Sequence, residues 1–406
     1  MTPIADAPTA YPFRQPSGVE IDPEYARLRR ERPLARVTMP YGGNAWLVTR
    51  YEDVRTVLGD ARFSRAATLK RDVPRLVPLI QQVSSILTMD PPDHTRQRRI
   101  VGKFFTARHV EALRPRVQAF TDELLDTLIA QGPPVDLVTG LTRPLPLLVI
   151  CELLGVPFAE RGLFDIWSEA MRSTGADAVE KMRQAGRLPW DYLADRIVAE
   201  RATPTDSLLG ELVRARDEED RLTEQELVSF AVTLLLAGHE TTTDELGNFV
   251  VTLLSRPEEL ELLRADPSLI DSAVEELLRF VPIGTLSGFT RIALEDVELS
   301  GGVVRAGDAV VVQADAANHD ETVFPDADRL DLRRSPNRHL AFGFGPHHCL
   351  GAQLARVELR TAIGSQLQRL PDLRLATRPH EVPWKLGRSA LGPSAVPVTW
   401  SLTAGR

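Results

Sequence analysis

Cysteine is almost missing from this chain: 406 residues contain two, Cys151 and Cys349. Two thiols so far apart build no disulfide framework, and a reducing cytoplasmic setting is the expectation. Lysine is also scarce. Only Lys70, Lys103, Lys181 and Lys385 occur, so the basic residues are nearly all arginine, which reads as genomic composition bias. Long apolar runs are lacking as well. The stretches 145–150 and 234–237 fall far short of the ~20 residues that span a bilayer. The opening MTPIADAPTAYPF has no basic segment followed by an apolar one, so a signal peptide is not expected. A net charge of −8 argues against a general nucleic-acid binder.

A hydrophobic fraction of 43% with mixed charge fits a globular protein with a large core. Residues 1–20 are Pro-rich and aperiodic and predict an extended arm. Segments 37–39 and 45–49 flank Tyr41-Gly42-Gly43-Asn44, a hairpin pattern. Amphipathic helical periodicity dominates from about 51 to 280, with few regular signals in 60–90. Thr223 and Glu226 form a Thr-x-x-Glu capping box that starts a long helix, and Arg256-Pro257 ends it near Ser255. A further helix is predicted over 268–280. Val-rich segments from 283 to 335, such as 309–313, predict short strands. Length alone suggests two or three domains.

The densest pattern is Phe342-Gly343-Phe344-Gly345-Pro346-His347-His348-Cys349-Leu350-Gly351. Leu350, Leu354, Val357 and Thr361 follow at helical spacing, which sets the thiol at a helix start. Unpaired N–H groups and the helix dipole there favour the thiolate. Gly345 and Gly351 remove bulk where backbone passes close to something large or flat. A buried apolar cysteine is the ordinary alternative, and it suits Cys151 in its apolar run. A zinc cluster of His339, His347, His348 and Cys349 lacks a second ligand pair at zinc spacing.

The order Phe-x-x-Gly-x-x-x-Cys-x-Gly resembles the haem-thiolate signature of the cytochrome P450 family. The resemblance extends over essentially the whole chain. It implies a single mainly α domain with a small β region (residues 21–406 after the arm) and haem b with Cys349 as its axial thiolate. Phe342 would then shield the sulfur.

Ala237-Gly238-His239-Glu240-Thr241-Thr242 lies in the middle of the long helix, where an acid and hydroxyls make poor core. Ala237 and Gly238 leave room for a flat ligand, and Thr241 can bond a carbonyl one turn back. The run is similar to the family's oxygen-activation motif, which implies that Thr241 serves dioxygen activation and Glu240 relays protons. Glu276 and Arg279, three apart on one helix face, resemble the family's buried Glu-x-x-Arg pair. Arg334 is the first choice for its third member, and Arg329 the second. His94, Arg98, Arg291 and His347 match family positions that contact haem propionates.

Arg96, Arg99, Lys103 and Arg108 add a basic cluster on a helix expected over 94–108, read as a docking patch for an acidic ferredoxin. No Gly-x-Gly-x-x-Gly fingerprint and no flavin or iron–sulfur segment is present, so a separate ferredoxin and ferredoxin reductase supply electrons. The implied activity is a monooxygenase that inserts one oxygen atom from O2, as hydroxylation or epoxidation, into a hydrophobic polyketide- or macrolide-like molecule. The expected pocket wall is residues 63–90, Leu236, Ala237, Thr241, Ile283 to Leu286, and Ser389 with Ala390 and Leu391. Rival readings are a haem-thiolate binding or sensing protein without turnover, and oxidative coupling or peroxide-driven chemistry. A monomer with no membrane or nucleic-acid partner is expected.

Overall fold

The computed structural model describes residues 7–401 apart from 14–17, 219–221, 285–288 and scattered positions between 161 and 176. Helices make up most of it. The longest, the central helix Glu224–Leu254, starts with both halves of the predicted capping box formed, Thr223 to Glu226 and back. Nearly every turn of it is buried, with Leu227, Ala231, Leu235, Leu246 and Phe249 fully so. Such burial stabilises by about 1.5–3 kcal/mol for each large apolar side chain. Around it pack helices Pro144–Leu154, Leu188–Ala202 and Ala352–Arg369, and the last of these also lies along Ala107–Gln131.

A six-stranded sheet covers one flank, in the order Thr9–Ala10, Leu34–Thr38, Asn44–Val48, Ala309–Val312, Arg291–Ala293, Phe63–Ser64. The predicted hairpin is its second and third strands, paired from Leu34 opposite Val48 to Thr38 opposite Asn44. Gly42 turns it at φ +75°, and any side chain there would run into the Val73 carbonyl. At the other edge Phe63 pairs with Ala293 and Ser64 with Ile292, antiparallel. That register brings Arg65 level with Arg291.

Two helix expectations need correction. The helix that begins at Asp93 ends at Gly102 and is followed by a 3-10 turn Lys103–Phe105, so Arg108 belongs to the next helix. The helix after Cys349 starts at Ala352, with Gly351 as its N-cap. Among the described residues, no helix is long and apolar enough to cross a membrane.

Candidate active site

Cys349 lies three residues before its helix, in a loop closed by its own N–H, which donates to the Phe342 carbonyl at 2.8 Å. It has accessible surface, yet protein surrounds it densely enough that burial pushes its thiol up. The Gly351 N–H opposes that shift, with Arg98 and Arg356 after it. The expected net preference for thiolate is thus not a property of the loop alone, because desolvation outweighs the nearby helix start.

The loop is held from below by Glu276 and Arg279, neither with any exposed side-chain surface. Arg279 donates to both Glu276 oxygens at 2.8 Å and to the carbonyls of Asn318 and Ala327. Arg334 reaches Glu276 at 3.0 Å and is the third member; Arg329 offers only its carbonyl. Asn337 and the Asp331 N–H complete the carboxylate's partners.

Gly345 sits at φ +70°, and a Cβ there would also strike Gly59 and Leu58 at the end of helix Tyr51–Gly59. Protein backbone, not a ligand, demands that glycine. Gly351 is different: a Cβ would meet nothing within 4 Å. His94 and His347 stack with ring centres 4.3 Å apart, and Arg98 donates to the His348 carbonyl. Arg291 is buried, and beside it lies Arg65, which sequence reasoning missed. Arg65 donates to the carbonyls of Leu87 and Thr290 and is pulled down to about 9 by burial and then by Arg291. Arg291 falls to about 10 through burial. His347 falls to about 3 through burial and then His94, Arg291, Arg65 and Arg98. Among the described residues, Arg65, Arg98 and Arg291 make no ion pair with a carboxylate. Two buried arginines that crowd one another and share the charge of a single carboxylate, Asp90, suit an anionic ligand.

Across from the loop runs the central helix. Ala237 is exposed in the middle of this otherwise buried element, and Leu236 and Thr241 keep partial surface. Thr241 Oγ1 donates to the Ala237 carbonyl at 3.1 Å, as the spacing predicted. Gly238 does not face the same space, since a Cβ there would strike Ile150 of a neighbouring helix. Glu240 is buried, with Arg388 Nη1 3.4 Å away and His239 Nε2 at 3.7 Å. One turn further, Lys385 bonds Asp244 at 2.6 Å, and Asn248 donates to the Leu391 carbonyl. Glu240, Asp244 and Asn248 thus form a polar stripe that fastens the 385–391 loop. Ile283, Ala390 and Leu391 retain little surface, and the Leu391 N–H bonds the Ile283 carbonyl. Leu286 lies outside the described residues.

A helix-rich core, a cysteine loop and a Glu-Thr step on the central helix together define a haem-thiolate type of oxidoreductase. Comparison with known proteins agrees. The cytochrome P450 family model matches residues 162–381. The mycinamicin IV hydroxylase/epoxidase of Micromonospora griseorubida is 49% identical, over 97% of this chain and 99% of that protein. The nocardicin C N-oxygenase of Nocardia uniformis subsp. tsuyamanensis is 48% identical, over 96% and 98%. The crystal structure of HinD with NMFT and NO superposes at a TM-score of 0.94 with 50% identity, covering 97% of this chain and all of that one. The chain belongs to the cytochrome P450 family and is a P450 monooxygenase.

The family implies a haem with a cysteine thiolate. The residues present fit it. Three arginines without a carboxylate ion pair among the described residues match two propionates, and the space beside Gly351 is clear.

Proposed function

We propose that Cys349 is the axial thiolate and that His94, Arg98, Arg291 and His347, joined by Arg65, hold the propionates. Haem with a thiolate ligand supplies oxygen activation and insertion. The protein's part is to orient the substrate, exclude water and deliver protons. Phe342 and Gly351 shape the seat of the ring. Ala237 and Leu236 present the helix face to the substrate. Thr241 holds its hydroxyl at that face through the Ala237 carbonyl, and Glu240 passes protons to it from the side of Arg388. The substrate is a hydrophobic natural product of macrolide or polyketide type, to be hydroxylated or epoxidised. The likeness to the mycinamicin IV hydroxylase/epoxidase supports this. Electrons come from a ferredoxin and its reductase, docked on Arg96, Arg99, Lys103 and Arg108.

The observation that carries this reading is the exposed Ala237–Thr241 step in a buried helix. Its test takes mycinamicin IV and a panel of other macrolides as probes, finds one that binds, and follows electron use with a ferredoxin system. Thr241→Ala is expected to bind the probe as tightly as the wild type but send at least about tenfold more electrons to hydrogen peroxide. Undiminished coupling of electrons to product would remove Thr241 from the mechanism.

A further inference from the structure

Glu275 and Glu276 are neighbours on the helix Ile270–Phe280, yet they serve different partners. Glu276 belongs to the buried pair described above. Glu275 reaches the helix that follows Cys349. Arg356 grips it with a fork, Nε to Oε1 at 2.7 Å and Nη2 to Oε2 at 2.8 Å. Arg360 Nη2 adds a bond to Oε1 at 3.1 Å, and His339 Nε2 lies 3.1 Å from Oε2. The Ala341 N–H donates to His339 Nδ1 at 3.3 Å, which leaves the ring proton on Nε2, directed at Glu275.

Arg356 then turns toward the loop. Its guanidinium carbon stands 4.6 Å from the centre of the Phe342 ring, and the Phe342 carbonyl holds the Cys349 N–H. The contacts run without a gap from Glu275 through Arg356 and Phe342 to Cys349. Arg356 and Arg98 are the cations whose charge reaches the thiol. Arg356 is 17% exposed and Glu275 23%, so water screens this charge only in part.

We propose that Glu275 is a positioning residue that, by partly neutralising Arg356, sets the electron-donating strength of the Cys349 sulfur and so the reduction potential of the iron. The proposal rests on Cys349 being the ligand. An uncompensated cation beside the sulfur withdraws its electron density and stabilises the reduced metal, which carries one charge less. A bidentate carboxylate on that cation offsets the effect. A clamp between two helices, with no electrical role, would bond in the same way but would not give changes of predictable sign.

The test is a spectroelectrochemical titration of the haem-loaded protein. Glu275→Gln is expected to shift the midpoint potential to more positive values, and Arg356→Gln to more negative ones. Glu275→Asp is expected to return it toward the wild type. Asp271→Asn removes a carboxylate that pairs with Arg360 at 3.2 Å and makes no ion pair with Arg356 among the described residues, so it leaves the potential in place. Unchanged potentials in both Gln variants, shifts of the same sign, or a shift in Asp271→Asn as large as that in Glu275→Gln would overturn the proposal. Should Glu275→Gln fail to hold haem, the sign for Arg356→Gln decides. If Cys349 is not the ligand, the reduced wild type with CO lacks its band at ~450 nm, an outcome distinct from an unmoved potential.

Discussion

Two helices bring carboxyl groups into the core of this protein and treat them differently. On the helix Ile270–Phe280, Glu276 is fully buried, and both its oxygens are filled by Arg279, Arg334, Asn337 and the Asp331 N–H. On the central helix, Glu245 is equally enclosed, but Oε2 has no hydrogen-bond partner among the described residues. Burial raises it well above the usual carboxylate range, and Asp315 and Asp244 push in the same direction. The Glu276 site is therefore a frame of charges matched to one another. The central-helix side is a wall of small and polar groups, some of them without protein partners. A frame must hold one atom in place, whereas a wall must accept a substrate and protons.

Breaking the frame gives the largest effect. Glu276→Ala leaves Arg279 charged and buried, at a cost of about 3–5 kcal/mol. Urea unfolding is expected to shift to markedly lower midpoint, with loss of bound haem; an unchanged midpoint would make the frame and the wall equivalent.

A smaller effect is expected on the wall. Asp315, on the short helix Ala314–Asn318, accepts the Gly284 N–H at 2.9 Å and is pushed up to about 6 by burial. An acid raised from 3.8 to about 6 binds its proton more readily folded than unfolded. Its penalty on stability is thus absent below about pH 4, grows as pH rises, and is complete above about pH 6. Asp315→Asn keeps an acceptor for Gly284 and removes the titration. Its stability relative to the wild type is expected to rise between about pH 4.5 and about pH 7.5 in paired unfolding curves. A constant difference would mean that the wall stores no such charge.

The frame was legible in the sequence because its signals are local. Glu276 and Arg279 are one helical turn apart, Thr223 and Glu226 share one cap, and the glycine-rich loop runs straight into Cys349. The wall was not. Arg65 reaches Arg291 only through the strand register that pairs Phe63 with Ala293. Arg388 finds Glu240 from 148 residues away in the sequence. Neither has a neighbour in sequence that marks it. The glycines misled for a related reason: Gly238 and Gly345 yield to other helices, Pro144–Leu154 and Tyr51–Gly59, which no local pattern reveals. Cys349 misled through its dipole argument, since the helix begins three residues later and desolvation dominates.

Everything proposed for the site depends on the sulfur of Cys349. The most direct test is the absorption spectrum of the haem-loaded, reduced protein under CO. The wild type is predicted to show its band at ~450 nm, and Cys349→Ala to lose it. A variant without Cys349 that keeps the band would contradict the account.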